Sequence, residues 1–255
     1  MYHSIFDTHA HYDDEKFNED RDGLLKSLPS KGVVNIINCG CDLASSLKSI
    51  EFSEEYDYFY SAVGVHPSNI TGDSYDELQI IRELYSHPKC VAVGEIGLEY
   101  HYDFVPKDKQ LDIFEKQIIL ANELELPVIV HDREAHEDTM NLLKRYKPKG
   151  VVHCFSGSAE MAKEVLKLGM YIGLGGAVTF KNARKPLEVA EIVPEDRLLL
   201  ETDCPYMTPV PFRGRRNSSD LIVYSAEKLA EVRHTDTQKL INTANENARR
   251  LFKIE

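Results

Sequence analysis

The sequence contains no Cys-x-x-Cys pair, no long apolar run and no excess of basic residues. Each absence removes a class of protein. Its five cysteines, at 39, 41, 90, 154 and 204, are odd in number, and the closest two are separated by one residue. Neither a disulfide framework nor a four-thiolate zinc site is expected from them, and reduced, mostly buried thiols are. No apolar stretch approaches the ~18 residues of a membrane-spanning helix. The opening "MYHSIFDTHA" has neither the basic n-region nor the apolar core of a secretory signal. A cytoplasmic protein with no membrane association and no obligate protein partner is expected. The net charge of −12 argues against sequence-blind coating of nucleic acid, which needs a basic face. It still allows a nucleic-acid enzyme that concentrates a basic patch and bound cations around its site. No linker, low-complexity tract or repeat divides the chain, so one domain over residues 1–255 is expected.

What the chain does have is a rhythm. Short, near-continuously apolar runs occur at 4–9, 32–40, 58–66, 89–97, 126–132, 150–156, 169–176 and 197–203. Such runs suit parallel strands covered on both faces. Helical patterns lie between them. In 107–125, Leu111, Phe114, Ile118 and Ala121 form one apolar stripe, and 74–87, 135–146 and 159–169 behave alike. Gly32, Gly150 and Gly169 sit where a left-handed helix cap would precede the next strand. Eight strand–helix repeats in about 250 residues predict the α/β class and a (β/α)8 TIM barrel; an open doubly wound sheet is the alternative. The stretch 203–219, with three prolines and a glycine, reads as a long loop after the eighth strand, and 237–252 as a closing helix.

Polar residues gather at the ends of these runs. His9 and His11 end the first run, His66 the third, Glu95 the fourth, His131 the fifth, His153 the sixth and Asp203 the eighth. The His9–His11 pair alone is a chance-level motif. In a barrel, however, all C-terminal strand ends open on one face, and burying so many polar groups there calls for a metal. Imidazole and carboxylate without thiolate suit Zn, Mn, Fe, Ni or Co, with Mg a weaker fit. Six strong candidates among these seven exceed what one catalytic ion needs, so two ions sharing Glu95 are expected, with Asp203 both ligand and proton acceptor.

The blocks "FDTHAHYD", "AVGVHPSNI", "AVGEIGLEYHYD", "LPVIVHDREAHED", "GVVHCFSGS", "GGAVTFKNA" and "LLLETDCPYMTPVPFRGRRNSS" resemble the TatD family of metal-dependent deoxyribonucleases, amidohydrolase-like barrels. The resemblance runs from residue 5 nearly to the C-terminus. It implies that His9, His11, Glu95 and Asp203 hold one divalent ion and that Glu95, His131 and His153 hold a second. It implies that His66 and Arg133 line the substrate pocket, and that the substrate is DNA, cut from the 3′ end of a single strand. Asp132 and Glu99 depart from the family's usual "HSRDA" and "GLDY", and both are expected to add length or charge near the mouth. For the backbone of such a polymer, Arg213, Arg215 and Arg216 are candidate phosphate contacts, as are Lys181, Arg184 and Lys185. Tyr206 and Phe212 are candidate base-stacking residues. The competing function is hydrolysis of an amide, ester or lactone by the same centre. No lysine stands at the end of the fourth or fifth run to bridge two metals, which favours the TatD-like reading.

Overall fold

The computed structural model describes residues 2–255. Eight parallel strands, β1 (Ile5–Ala10), β2 (Val33–Cys39), β3 (Phe59–Val63), β4 (Cys90–Glu99), β5 (Val128–Arg133), β6 (Gly150–Val152), β7 (Tyr171–Leu174) and β8 (Leu198–Leu200), pair in sequence order. Helices α1 (Arg21–Ser27), α2 (Leu43–Glu55), α3 (Ser74–Leu84), α4 (Lys107–Glu123), α5 (His136–Tyr146), α6 (Ala159–Lys167), α7 (Arg184–Ile192) and α8 (Ile222–Val232) follow the strands in turn, and α9 (Thr237–Phe252) comes last. This is the expected TIM barrel rather than the open sheet. No helix among the described residues is long and apolar enough to cross a membrane.

One apolar cluster draws on every strand, including Phe6, Ile37, Ala62, Ala92, Ile129, Val151, Tyr171 and Leu199, and adds Ala248, Phe252 and Ile254 from the end of the chain. It fills the barrel, and the end of α9 plugs its floor. A larger cluster packs the strands' outer faces on the helices; in α4 it takes Phe114, Ile118 and Ala121.

The barrel closes sparingly. Between β8 and β1 there is one isolated bridge, Ala10 to Cys204. It is supported by Asp203 N–H donating to the His9 carbonyl (2.9 Å) and His11 N–H to the Cys204 carbonyl (2.8 Å). Side chains strengthen this seam. The buried Asp7 carboxylate accepts from Thr202 N–H (2.9 Å), Thr202 Oγ1 (2.6 Å) and Ser219 Oγ (2.6 Å). Burial pushes its carboxyl up to about 6 despite these bonds.

Two local expectations change. Gly32 and Gly169 take left-handed geometry, with φ 92° and 81°, but Gly150 does not cap a helix. Lys147, at φ 48° and ψ 51°, ends α5. Gly150 opens β6, where a Cβ would collide with the Val128 carbonyl oxygen of the neighbouring strand. The sixth and eighth strands are also shorter than their apolar runs, three residues each. His153 and Asp203 therefore lie on the rim beyond the ladder.

Candidate metal centre

Alternation along each strand decides which side chains enter the barrel mouth. Ile129 fills the interior, so His131, two residues on, faces the same way; Val151 and His153 repeat this, as do Leu199, Glu201 and Asp203. His9 and Glu95 stand three residues after Phe6 and Ala92, the wrong parity. Both of their strands carry a ladder irregularity at that point, between Asp7 and Ala10 and between Val93 and Ile96. A bulge re-aims a side chain, and here it turns both into the mouth.

Glu95 sits at the middle, 4% exposed. Its Oε2 lies 3.4 Å from His9 Nε2 and 3.4 Å from His11 Nε2. Its Oε1 lies 2.9 Å from His131 Nδ1, 2.7 Å from His153 Nε2 and 3.5 Å from His66 Nε2. Asp203 Oδ1 joins the first group, 3.7 Å from His9 and 3.5 Å from His11. Each carboxylate oxygen thus faces its own set of imidazoles. The backbone at Asp203 is left-handed, φ 58°, and is pinned by its N–H on His9 and by Tyr206 N–H on its own carbonyl at 2.9 Å. Such a conformation survives where surrounding bonds over-determine it.

The donor set fits a divalent cation. His9 and His11 bring Nε2 atoms within 3.0 Å of each other, a spacing close to that of two ligands held about 2.1 Å from one ion. Burial lowers the His9 imidazole to about 4 and His66 to about 3, so both rings are neutral; His66 Nδ1 accepts from Ser68 N–H at 3.1 Å, which leaves its Nε2–H toward the cleft. His11 Nδ1 sits 2.9 Å from the Cys39 carbonyl, which makes Nδ1 the protonated nitrogen and leaves Nε2 for the cleft. Glu95 and Asp203 resist the upward push of burial; the surrounding imidazoles hold Glu95 well below the usual carboxylate range and His11 lowers Asp203. Groups drawn from these residues converge closely enough to hold an ion: His9, His11 and Asp203; His9, Glu95 and His153; His66, Glu95 and His131.

The support around this centre was only partly visible in the sequence. Glu99 is buried and reaches His131 Nε2 at 3.3 Å, opposite the nitrogen that meets Glu95. Against burial, the bonds to Glu95 and Glu99 raise His131 to about 9. Glu201, fully buried, stands 3.8 Å from His153 Nδ1 and accepts from Cys154 N–H; burial pushes its carboxyl up to about 7. Its position two residues before Asp203 was the available signal. Cys41 also borders the centre, 3.7 Å from Glu95 Oε2. Asp132 corrects an expectation. It points away from the mouth and meets His136 Nδ1 at 2.8 Å at the start of α5, because strand alternation puts it on the face opposite His131.

The centre opens into a cleft of about 380 Å³ lined in part by Asp13, Asp14, His66, Asn69 and Tyr206. Past Tyr206 it adjoins a groove of about 1010 Å³ carrying Lys16, Arg213 and Arg215. The other basic candidates divide. Arg216 also borders the groove, but its fork is closed on Asp20 at 2.6 and 2.7 Å. Arg184 is paired with Glu188 at 2.8 Å. Arg133 stands at the rim, 4.0 Å from Glu99 and outside the cleft wall. Phe212 packs edge-on against Tyr224, 5.0 Å between centroids, which takes it from the base-stacking role. Tyr206 stays half exposed, its hydroxyl donating to Asp14 at 2.6 Å.

The sequence profile of the TatD related DNases matches residues 6–253. The chain belongs to the TatD family. This TatD protein is 44% identical over 253 residues to the uncharacterized metal-dependent hydrolase YabD of Bacillus subtilis, covering 98% of this chain and 99% of that one. It is 33% identical over 259 residues to the 3′-5′ ssDNA/RNA exonuclease TatD of Erwinia tasmaniensis, covering 98% and 100%. The crystal structure of YJJV, a TatD homologue from Escherichia coli, superposes with a TM-score of 0.92 at 32% identity over the whole of both chains. An engineered lactonase template shares the barrel at TM-score 0.63 and 16% identity, covering 97% and 95%, which is likeness of fold alone. The TatD protein is accordingly a metal-dependent hydrolase.

Proposed function

We propose that the protein hydrolyses phosphodiester bonds in single-stranded DNA, removing nucleotides from the 3′ end, with two divalent cations from among Zn, Mn, Mg, Ni and Co. The observation that carries this reading is the division of Glu95, one oxygen toward His9, His11 and Asp203 and the other toward His131 and His153. In the proposal these two sets are the ligands of the two ions. When bound, such a pair supplies Lewis acidity, lowering the pKa of water and neutralising charge on phosphoryl oxygens. Asp203, kept ionised by His11, accepts the proton of the attacking water. The neutral ring of His66 at the cleft wall offers a donor to a non-bridging oxygen. Arg213 and Arg215 take the phosphates of the rest of the strand along the groove, so a chain of net charge −12 meets its polyanion on a local basic track. The five free thiols suit a reducing cytoplasm.

Digestion of 5′-labelled single-stranded DNA with Mg, Mn and Zn tests the reading. A ladder shortening one nucleotide at a time, abolished by EDTA, is expected. Release of carboxylic acids from ester or amide substrates with no nucleotide product would overturn it. Arginine substitutions probe the groove separately. Arg215→Ala should weaken DNA binding and reduce the slope of log K against log salt by about 1, the signature of one lost phosphate contact. Arg216→Ala should leave that slope unchanged, because its guanidinium is engaged with Asp20.

A further inference from the structure

The loop joining β4 to α4 carries two exposed aromatic rings that nothing above uses. Tyr102 is 43% and Phe104 70% exposed. Their rings stack in parallel, centroids 5.0 Å apart and planes within 8°. The Arg133 guanidinium lies 5.1 Å from the Tyr102 ring centre. Arg133 is 4.0 Å from Glu99, which reaches His131 at 3.3 Å, so the rings connect to the metal centre through an unbroken series of neighbours. Both ends of the loop are fixed by one residue, for buried Gln110 Nε2 donates to the Glu99 carbonyl at 3.0 Å and the Val105 carbonyl at 2.9 Å.

We propose that Tyr102 and Phe104 form a stacking platform for the terminal nucleobase of the strand being cut. The inference rests on the nuclease reading and names a subsite for it. The barrel's strand order places β4 diametrically opposite β8, so the platform and the arginine groove flank the mouth on opposite sides. A strand whose scissile phosphate lies over Glu95 then has its polymeric side in the groove and its last nucleoside on the platform. The rim chemistry selects a base over a phosphate there. Glu99 lies 4.0 Å from Arg133, Glu134 pairs with His101 at 2.8 Å, and Asp103 lies between Tyr102 and Phe104 in the chain, so three carboxylates accompany the one guanidinium beside the rings. A flat, uncharged base has the exposed face of Phe104 to cover. Stacking of this kind tolerates any base, as exonucleolytic removal of successive nucleotides requires.

The test compares two single-stranded oligonucleotides, one intact and one lacking the base on its 3′-terminal nucleotide, in wild type and Phe104→Ala. Methyl p-nitrophenyl phosphate serves as a substrate without a nucleoside. The platform predicts roughly a tenfold rise in KM when either the ring or the base is removed, and no further rise when both are gone. Phe104→Trp should restore discrimination, and turnover of the small diester should not change. Equal KM for the intact oligonucleotide in wild type and Phe104→Ala would overturn the platform alone. A wild type that cuts neither oligonucleotide yet hydrolyses the small diester would overturn the nuclease reading and the platform with it.

Discussion

Replacing Glu95 with alanine is expected to abolish hydrolysis and to leave neither half of the centre able to retain an ion tightly. Glu95 is the carboxylate that faces both sets of imidazoles, with five of them within 3.5 Å of its two oxygens. Removing an outer partner of a metal ligand costs about 10–100-fold in affinity or activity. Removing the shared ligand should cost more than about a thousandfold. Glu95→Asp is the informative companion, since a carboxylate one methylene shorter reaches one set of imidazoles at the expense of the other. Metal content by mass spectrometry and titration calorimetry, measured beside turnover, separates the outcomes. A folded Glu95→Ala protein that still carried two ions and turned over normally would end the assignment of Glu95 as bridge.

The second large effect concerns stability. Asp7→Ala should lower the unfolding free energy by about 2–4 kcal/mol, through loss of a buried acceptor serving several donors. Thr202 N–H loses its partner, while Thr202 and Ser219 hydroxyls must find others. In a chain of this size that corresponds to a fall in Tm of roughly 10 °C. Asp7→Asn should be milder, because the amide keeps one acceptor and both hydroxyls can reverse direction. Ser219 can donate to Tyr12 Oη, which lies 2.8 Å away. Equal melting curves for wild type and Asp7→Ala would show that the seam does not depend on this carboxylate.

How far the sequence was legible depended on whether the signal was periodic. The eight strands and the long helices announced themselves through apolar runs and stripes, and the runs correctly delivered His131, His153 and Asp203 to one rim. The same period misleads at His9 and Glu95, which reach the mouth through bulges. Position along the chain, not parity, was the usable clue there. For Asp132 parity was the better guide, and it assigns that side chain to the helix side. Glu201, Asp7 and Gln110 act through partners distant in sequence, and no local pattern distinguishes such a residue from an ordinary polar one. Among the arginines, composition of the loop could not separate Arg216, closed on Asp20, from Arg215.

The seam between β8 and β1 has a consequence for how the enzyme comes into being. Its contacts join residues nearly 200 positions apart, as in the bond from Thr202 N–H to Asp7, and contacts this remote form late in folding. A ribosome makes His9 and His11 almost at once but must add some 190 residues before Asp203 exists. Until then the mouth lacks a wall, and His9 and His11 lack the Asp203 carboxylate that approaches them across the seam. Hydrolytic competence is therefore tied to completion of the barrel, and a nascent or truncated chain is barred by its own topology from assembling the candidate metal centre.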